Sequence, residues 1–440
     1  MNRVSSLPFK TVWLMAFPLI LSNMSVPLLG MVDTAVVGHL DSAHFLGAVA
    51  LGALLFSFIF WGFGFLRMGT TGQIAVAFGQ QDIRQVRVGL RVGLVLALVI
   101  GLGLLLFQVP IALLGFALID GSAQVEHWGR VYFDVRIWSA PATLMNYVFI
   151  GWFIGVLRTR YPLYVLLLSN SVNIILDLWF VWGLDLGVAG VAWASVIADY
   201  VGVVLSLLLV RHFLSEFPGE QGLGRWFSLA ILKRFLLVNA HLFIRTLCVV
   251  FSFAFFANQG AKNGDVILAA NAVLLNFQTF MAYALDGFAH AAEGLVGQAF
   301  GQKNRVRYIQ VVKACFWFGG AFSLVFAIIY VLFGGMIVTL LTGLDDVRQV
   351  ASEYLVWVAI LPILSVWSYL FDGVFIGANR SLEMRNTMLL STIGFVLVWW
   401  LTTSLGNHGL WLALSAFMVL RALSMGWVWL MNEQLWLKEA

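Results

Sequence analysis

The stretch Gly294-Leu-Val-Gly-Gln-Ala-Phe-Gly-Gln302 ends in the same four residues as Gly72-Gln-Ile-Ala-Val-Ala-Phe-Gly-Gln80, 222 positions earlier. A second pair of similar segments has the same separation. These segments are Gly151-Trp-Phe-Ile-Gly-Val-Leu-Arg158 and Gly373-Val-Phe-Ile-Gly-Ala-Asn-Arg380. Either match alone is weak. Two matches at one separation predict an internal duplication, with two halves of the same architecture.

The composition around these segments is that of a membrane protein. The 440 residues are 61% hydrophobic and 10% charged, whereas an ordinary soluble domain has roughly 25% charged residues. A helix that crosses a bilayer needs about 20 mostly apolar residues, and the chain contains many such runs. The fold class that follows is an all-α polytopic membrane protein. The net charge of +4 is spread over the connections, so we expect no nucleic-acid partner.

Hydropathy predicts twelve membrane-spanning helices. The predicted spans are 11–37, 45–66, 88–107, 131–156, 162–182, 188–210, 230–257, 268–298, 309–334, 350–378, 387–405 and 409–431. Three regions follow: a six-helix lobe at 1–212, a cytoplasmic linker at 213–232 and a second six-helix lobe at 233–440. Because six crossings return the chain to its starting side, the two pseudo-symmetric lobes have the same orientation.

The Lys and Arg residues predict which side the termini occupy. Eighteen of the 25 lie in the N-terminal segment, alternate connections and the C-terminal end, and four lie in or beside the opposite connections. Cytoplasmic connections are the ones enriched in these residues. We therefore expect both termini in the cytoplasm and a multi-pass protein of a bacterial-type inner membrane.

The first span ends in Met24-Ser-Val-Pro-Leu-Leu-Gly-Met-Val-Asp33. A carboxylate at membrane depth is costly, so Asp33 is a candidate for function. The alternative is that Asp33 lies in an ordinary loop just outside the hydrocarbon. Sharp kinks usually occur at proline, so Pro18 and Pro27 are candidate sites at which this helix bends. Unchanged transport by a double Pro18→Ala/Pro27→Ala variant would contradict that hypothesis.

The fifth span carries Asn170, Asn173 and Asp177 at a spacing of three and four residues, which places them on one helix face. Polar groups in an apolar helix are expected to face the interior of the bundle. Ser195 in the sixth span can add a hydroxyl. The alternative is that these groups only join helices by hydrogen bonds.

The duplication distinguishes these groups from the shared scaffold. The positions 222 residues after Asp33, Asn173 and Asp177 are Phe255, Phe395 and Trp399. A purely structural role would predict polar groups in both halves. Their restriction to the first half favours function, although drift in one copy would give the same pattern.

The second half has acids of its own, which form a rival cation site: Asp286, Glu293 and Asp372. Asp199 in the sixth span is isolated, and a structural role is the simpler interpretation. Arg67, Arg245 and Arg421 fall within or at the ends of spans, where we expect them to snorkel toward the interface or to pair internally. Aromatic and methionine side chains are candidates for a loose substrate cavity. They are Met24, Met31, Phe60, Trp61, Phe149 and Phe153.

Motifs of several function classes are absent from the sequence. No Gly-Lys pair of a phosphate loop, no His-Glu-x-x-His helix and no Gly-x-Ser-x-Gly turn occurs. We therefore predict no enzyme, no catalytic residue, no metal and no cofactor. Transport would draw on an ion gradient, with H⁺ as the coupling ion and Na⁺ as the alternative.

The motifs Pro27–Leu40, Ala-Phe-Gly-Gln at two helix ends and Asn173-Ile-Ile-Leu-Asp177 resemble the multidrug and toxic compound extrusion (MATE) transporters. They are most similar to the branch named after the DNA-damage-inducible protein F. The resemblance implies a V-shaped pair of lobes and cation-coupled drug export. It also implies a first-lobe site of Asp33, Asn173, Asp177 and Ser195, whereas Asn170 has no firm counterpart. The sodium-coupled branch uses acids of the second lobe instead.

The predicted function is a secondary active multidrug antiporter, a monomer in the lipid bilayer that exports drugs or dyes. Its substrates would be organic compounds, often cationic and aromatic, and protons would enter in exchange. The alternatives are a sodium-coupled antiporter and a flippase for lipid-linked precursors, which would need a basic cavity. Two carboxylates close together in a low-dielectric lobe cannot both ionise cheaply. Asp33 and Asp177 would therefore take up one proton as a pair.

Overall fold

The computed structural model describes residues 8–37, 43–117, 122–217 and 229–439, and every regular element in these ranges is helical. The α-helices are α1 Pro8–Val37, α2 Ala43–Gly62, α3 Phe65–Gly79, α4 Ile83–Leu106, α5 Gln108–Ala117, α6 Ala123–Arg136, α7 Ala140–Gly155, α8 Arg160–Leu178, α9 Gly187–Glu216, α10 Leu229–Lys262, α11 Asp265–Gly301, α12 Arg305–Leu341, α13 Asp345–Gly377, α14 Ser381–Leu401 and α15 Asn407–Glu439. A 3₁₀ turn at Ile137–Ser139 joins α6 to α7.

Twelve helical segments in the described ranges are long and apolar enough to cross a membrane, so the predicted fold class is confirmed. The second crossing differs in detail from the prediction, because it combines α2 and α3 into His44–Gly79. Its helix is interrupted at Phe63 and Gly64, where neighbouring glycines weaken helical structure. The short apolar helix α5 was not predicted.

The chain divides into two compact units. We call Met24–Phe235 the N-unit, and Met1–Asn23 together with Leu236–Ala440 the C-unit. The predicted lobes differ from these units at the start of the chain, because the first part of α1 belongs to the C-unit. The reason is close packing: a Cβ atom added at Gly287 would lie 2.8 Å from the backbone nitrogen of Ile20.

Glycines of the duplicated motif allow two helices to approach closely in the same way in each unit. In the N-unit, a side chain at Gly151 of α7 would collide with the carbonyl oxygen of Arg67 on α3. In the C-unit, a side chain at Gly373 of α13 would collide with the carbonyl oxygen of Ala289 on α11. Each glycine and each contacted residue is separated from its counterpart by the same 222 positions. The repeated sequence therefore sets a repeated close approach of two helices.

The turns that follow the Ala-Phe-Gly-Gln motifs are also equivalent. Gln81 and Lys303 both adopt positive φ, at 60° and 54°. The next residues, Asp82 and Asn304, cap the following helices by accepting a backbone hydrogen bond at 2.9 and 3.0 Å. Side-chain oxygens at this position satisfy backbone N–H groups that the first helical turn leaves unpaired. The same chemistry therefore starts α4 and α12.

Candidate functional site

The predicted polar face of α8 is buried in the N-unit. Asn173 is 1% exposed and Asp177 is fully buried. The side-chain amide of Asn173 donates a hydrogen bond to Ser195 Oγ on α9 over 3.2 Å. The structure therefore brings Asn173 and Ser195 together, with Asp177 one turn further along the same face of α8.

Asn170 connects α8 to the second part of α1. Its side-chain amide donates to Ser25 Oγ over 3.1 Å. Asp33 lies on α1 eight residues beyond Ser25, which is about 12 Å along the helix, and Asp177 lies about 10.5 Å beyond Asn170. Since the first and fifth crossings are expected to run in the same direction, this register predicts that the backbones of the two acids lie at nearly the same depth. The side chain of Asp33 itself lies outside the described residues.

A second polar cluster of the N-unit centres on Asp199 of α9. Its Oδ2 accepts from Arg136 Nη1 over 2.8 Å and from Thr143 Oγ1 over 2.9 Å. Asn146 donates to the backbone carbonyl of Asp199 over 2.9 Å. The sequence did not predict this cluster, because Arg136 lies near the start of its predicted span and is one of the four bases in or beside the opposite connections. The signal available was one base in the fourth predicted span and one acid in the sixth, each costly to bury without the other.

The predicted cavity residues lie in different environments. Phe149 and Phe153 are fully buried and stack on each other at 6.4 Å. Phe60 is also buried and lies under the Arg136 guanidinium, with 5.7 Å to its ring centroid. Trp61 is 43% exposed, and Met24 is half-buried. The side chain of Met31 lies outside the described residues. The packed aromatic rings therefore contribute to the interior of the N-unit.

Both candidate hinge prolines lie inside α1, which the structure assigns as one continuous helix. Pro18 is buried and Pro27 is half-buried. They fall on either side of the boundary between the two compact units, with Pro18 in the C-unit and Pro27 in the N-unit. The position of the bend, if the helix bends, stays a prediction.

The acids proposed as a rival site in the C-unit differ in their exposure. Asp372 is 7% exposed and pairs with two buried bases, Arg245 and Arg421. Glu293 is 2% exposed, and Asp286 is half-buried. Among the side chains that the structure describes, no three His, Cys, Asp or Glu residues gather as a metal site. The expected internal pairing of Arg245 and Arg421 is therefore observed, and it occupies one of the three acids.

A family model described as MatE matches residues 18–179 and again residues 242–403. The chain belongs to the MatE family. DNA damage-inducible protein F of Escherichia coli K12 is 43% identical over 422 residues, which cover 96% of this chain and 92% of the relative. A probable multidrug resistance protein NorM of Rhodopseudomonas palustris is 26% identical, with 95% and 90% covered. The MatE chain is a multi-pass membrane transporter and not an enzyme.

A solved structure described as MATE in the straight conformation has the same fold as this MatE chain. Its TM-score is 0.87 at 20% identity, with 99% of this chain and 98% of that chain covered. The resemblance deduced from the Asp33 and Asn173 motifs is thus confirmed at the level of family and fold. The V shape, the coupling ion and the roles of individual residues stay predictions.

Proposed function

We propose that this MatE chain is a secondary active antiporter that exports organic compounds in exchange for protons. The substrates would be drugs or dyes, often cationic and aromatic. The name of the NorM relative, a probable multidrug resistance protein, supports the substrate class. The observation that carries the proposal is the Asn170–Ser25 hydrogen bond, which fixes the register of α1 against α8. In that register the backbones of Asp33 and Asp177 would lie at one depth.

Proton and drug would exclude each other at this pair of acids. When protonated, Asp33 can donate a hydrogen bond toward the Asn173 and Asp177 face, and α1 would move with it. When deprotonated, Asp33 carries a charge that attracts an organic cation. Because one group serves both ligands in turn, entry of a proton is linked to release of the drug, as antiport requires. Bending of α1 at Pro18 or Pro27 would accommodate the movement.

Sodium coupling through the C-unit is the less supported alternative. Asp372 already accepts hydrogen bonds from two guanidinium groups, and their positive charge opposes the entry of a cation. The excess of Lys and Arg in alternate connections supports cytoplasmic termini in an inner membrane. We retain the proposal of a monomer, since six helices in each half already supply a complete pair of lobes.

The test is dye efflux driven by a pH gradient in everted membrane vesicles from a drug-sensitive host, in sodium-free buffer. Vesicles that contain the wild-type protein should accumulate the dye. Asp33→Asn should abolish accumulation, because the neutral amide cannot release a proton. Asp345→Asn is the matched control, since that carboxylate is 92% exposed, and it should transport normally. Glu293→Gln tests the rival site and should retain most activity.

Near-normal pH-driven efflux by Asp33→Asn would refute the coupling model. If Glu293→Gln loses efflux while Asp33→Asn remains active, the coupling site lies in the C-unit. A requirement for sodium in the wild-type protein would replace protons as the coupling ion.

A further inference from the structure

Three helices of the C-unit bring one acid and two bases together. Arg245 of α10 and Arg421 of α15 both donate through Nη2 to the same oxygen, Oδ2 of Asp372 on α13. The distance from Arg421 is 2.8 Å. The residues are 9%, 2% and 7% exposed in the order Arg245, Arg421, Asp372. A single buried carboxylate therefore faces two buried guanidinium groups, which leaves an excess positive charge.

Hydrogen-bond donors of the cluster are also in excess. The Nε atoms of Arg245 and Arg421 are buried and have no hydrogen-bond partner within the described ranges. A guanidinium presents five N–H donors in a planar fork that fits the two oxygens of a carboxylate. Asp372 uses only one oxygen on both bases, and its Oδ1 has no partner there either. The two forks are thus only partly occupied.

The surroundings of the cluster are aromatic. The Arg421 guanidinium lies 5.4 Å from the ring centroid of Phe417 and 5.9 Å from that of Tyr369. Gln278 donates to the Tyr369 hydroxyl over 2.6 Å, and its own buried Oε1 has no described partner. A ligand at this position would therefore meet aromatic faces beside the two guanidinium groups.

Within the cluster itself, positive charge exceeds negative charge. Asp372 attracts the Arg421 guanidinium, Arg245 repels it, and Tyr369 also acts on it. Asp286 acts on Tyr283 and on Tyr369, on which Asp372 and Arg421 also act. The N-unit shows that the scaffold does not require such an excess, because Asp199 there is paired with one base, Arg136.

We propose that Arg245 and Arg421 form a binding site for the carboxylate of a small aromatic organic acid. Burying an unbalanced charge is unfavourable unless a partner supplies the opposite charge and the missing hydrogen bonds. An incoming carboxylate supplies both, through the free Nε–H groups. Asp372 holds the two guanidinium groups in place and competes with the ligand. The site adds organic anions to the compounds that this chain binds, and it is distinct from the cation-coupling site proposed above.

The test uses benzoate as the probe. Radiolabelled benzoate binding would be measured by equilibrium dialysis with the full chain in lipid nanodiscs, and benzyl alcohol would be the uncharged competitor. The wild-type protein should bind benzoate saturably, without competition from benzyl alcohol. Arg421→Lys keeps the charge but loses the planar fork, and it should weaken binding about 10- to 100-fold. Asp372→Asn removes the carboxylate that competes with benzoate for the two guanidinium groups. Because the repulsion between these two like charges is lost, benzoate should bind several-fold more tightly.

Two controls make the result specific. Arg136→Lys alters the balanced pair of the N-unit and should leave benzoate binding unchanged. Size-exclusion profiles of all variants establish that they are folded. Because binding needs no gradient, benzoate should still bind to Asp33→Asn. The binding test therefore remains valid even if pH-driven efflux is not observed. Absence of saturable binding, equal competition by benzyl alcohol, or unchanged affinity in both Arg421→Lys and Asp372→Asn would overturn the proposal.

Discussion

The N-unit and the C-unit agree in their backbone frame and differ in their buried charges. The glycine contacts of Gly151 and Gly373 and the helix caps of Asp82 and Asn304 are equivalent in position and geometry. By contrast, the position of Asp199 in the sixth span is occupied by a base, Arg421, in the twelfth. Duplication has kept the residues that position helices, while the charges have diverged. Buried charge is therefore the better guide to what each unit does.

The two units also balance their charges differently. Asp199 accepts hydrogen bonds from one guanidinium and one hydroxyl, and its side chain is 24% exposed. Asp372 is the common acceptor of two guanidinium groups and is 9% exposed in its side chain. The first arrangement is neutral and in partial contact with the surroundings, whereas the second is positive and enclosed. Variants of Asp199 and Asp372 measure how much that difference contributes to stability.

The largest expected effect is the loss of the acid that two bases share. Asp372→Asn should lower the free energy of unfolding by about 3–5 kcal/mol, because it leaves two buried guanidinium groups without a counter-charge. Asp199→Asn should cost roughly 1–2 kcal/mol, since hydroxyl groups and partial exposure remain around Arg136. Unfolding titrations of the purified proteins in mixed micelles measure both values. Equal losses would show that the two clusters are energetically alike.

An intermediate effect is expected at the duplicated helix contact. Gly151→Ala and Gly373→Ala each force a Cβ atom against a backbone carbonyl that cannot rotate away. Overpacking of this kind costs about 1–3 kcal/mol, and we expect similar losses at the two sites. Gly103→Ala is the matched control, because no atom lies within 4 Å of the added Cβ. Thermal unfolding followed by tryptophan fluorescence provides the comparison. If the two variants lose clearly different amounts of stability, the duplicated helix contact contributes unequally in the two units.

The smallest effect is expected at the helix caps. Asp82→Ala and Asn304→Ala each remove a side-chain oxygen that accepts a backbone hydrogen bond, at a cost of about 1 kcal/mol. The same thermal unfolding assay should give small and equal decreases in the midpoint. If the unfolding midpoint of one variant falls several times more than that of the other, the two turns contribute differently to stability despite their matching geometry.

Sequence reasoning was effective where the physical signal is local or periodic. Long apolar runs predicted the twelve crossings, and the Gly151 and Gly373 motifs predicted a duplication whose contacts recur in the structure. The spacing of Asn173 and Asp177 predicted a common face that is indeed buried. These features depend on helical geometry alone, so they can be deduced without knowing which helices are neighbours.

Pairings between distant spans were not predictable in the same way. Arg136 and Asp199 lie 63 positions apart, and Arg245 and Asp372 lie 127 apart. The sequence leaves Asp199 isolated in its span, and it groups Asp372 with Asp286 and Glu293 as a cation site. Only the packing of helices determines which charges meet, and hydropathy carries no information on that packing. The same limitation applies to Phe60, whose contact with Arg136 depends on two separate helices.

The division of α1 between two compact units has a consequence for amide hydrogen exchange. Residues up to Asn23 belong to the C-unit by their packing, and residues from Met24 belong to the N-unit. Exchange of buried amides reports the free energy of the cooperative unit that must open to expose them. A single helix should therefore show two protection levels, which meet near Asn23. Destabilising one unit by Gly373→Ala should lower protection in the first part of α1 and leave the part around Ser25 at its original rate.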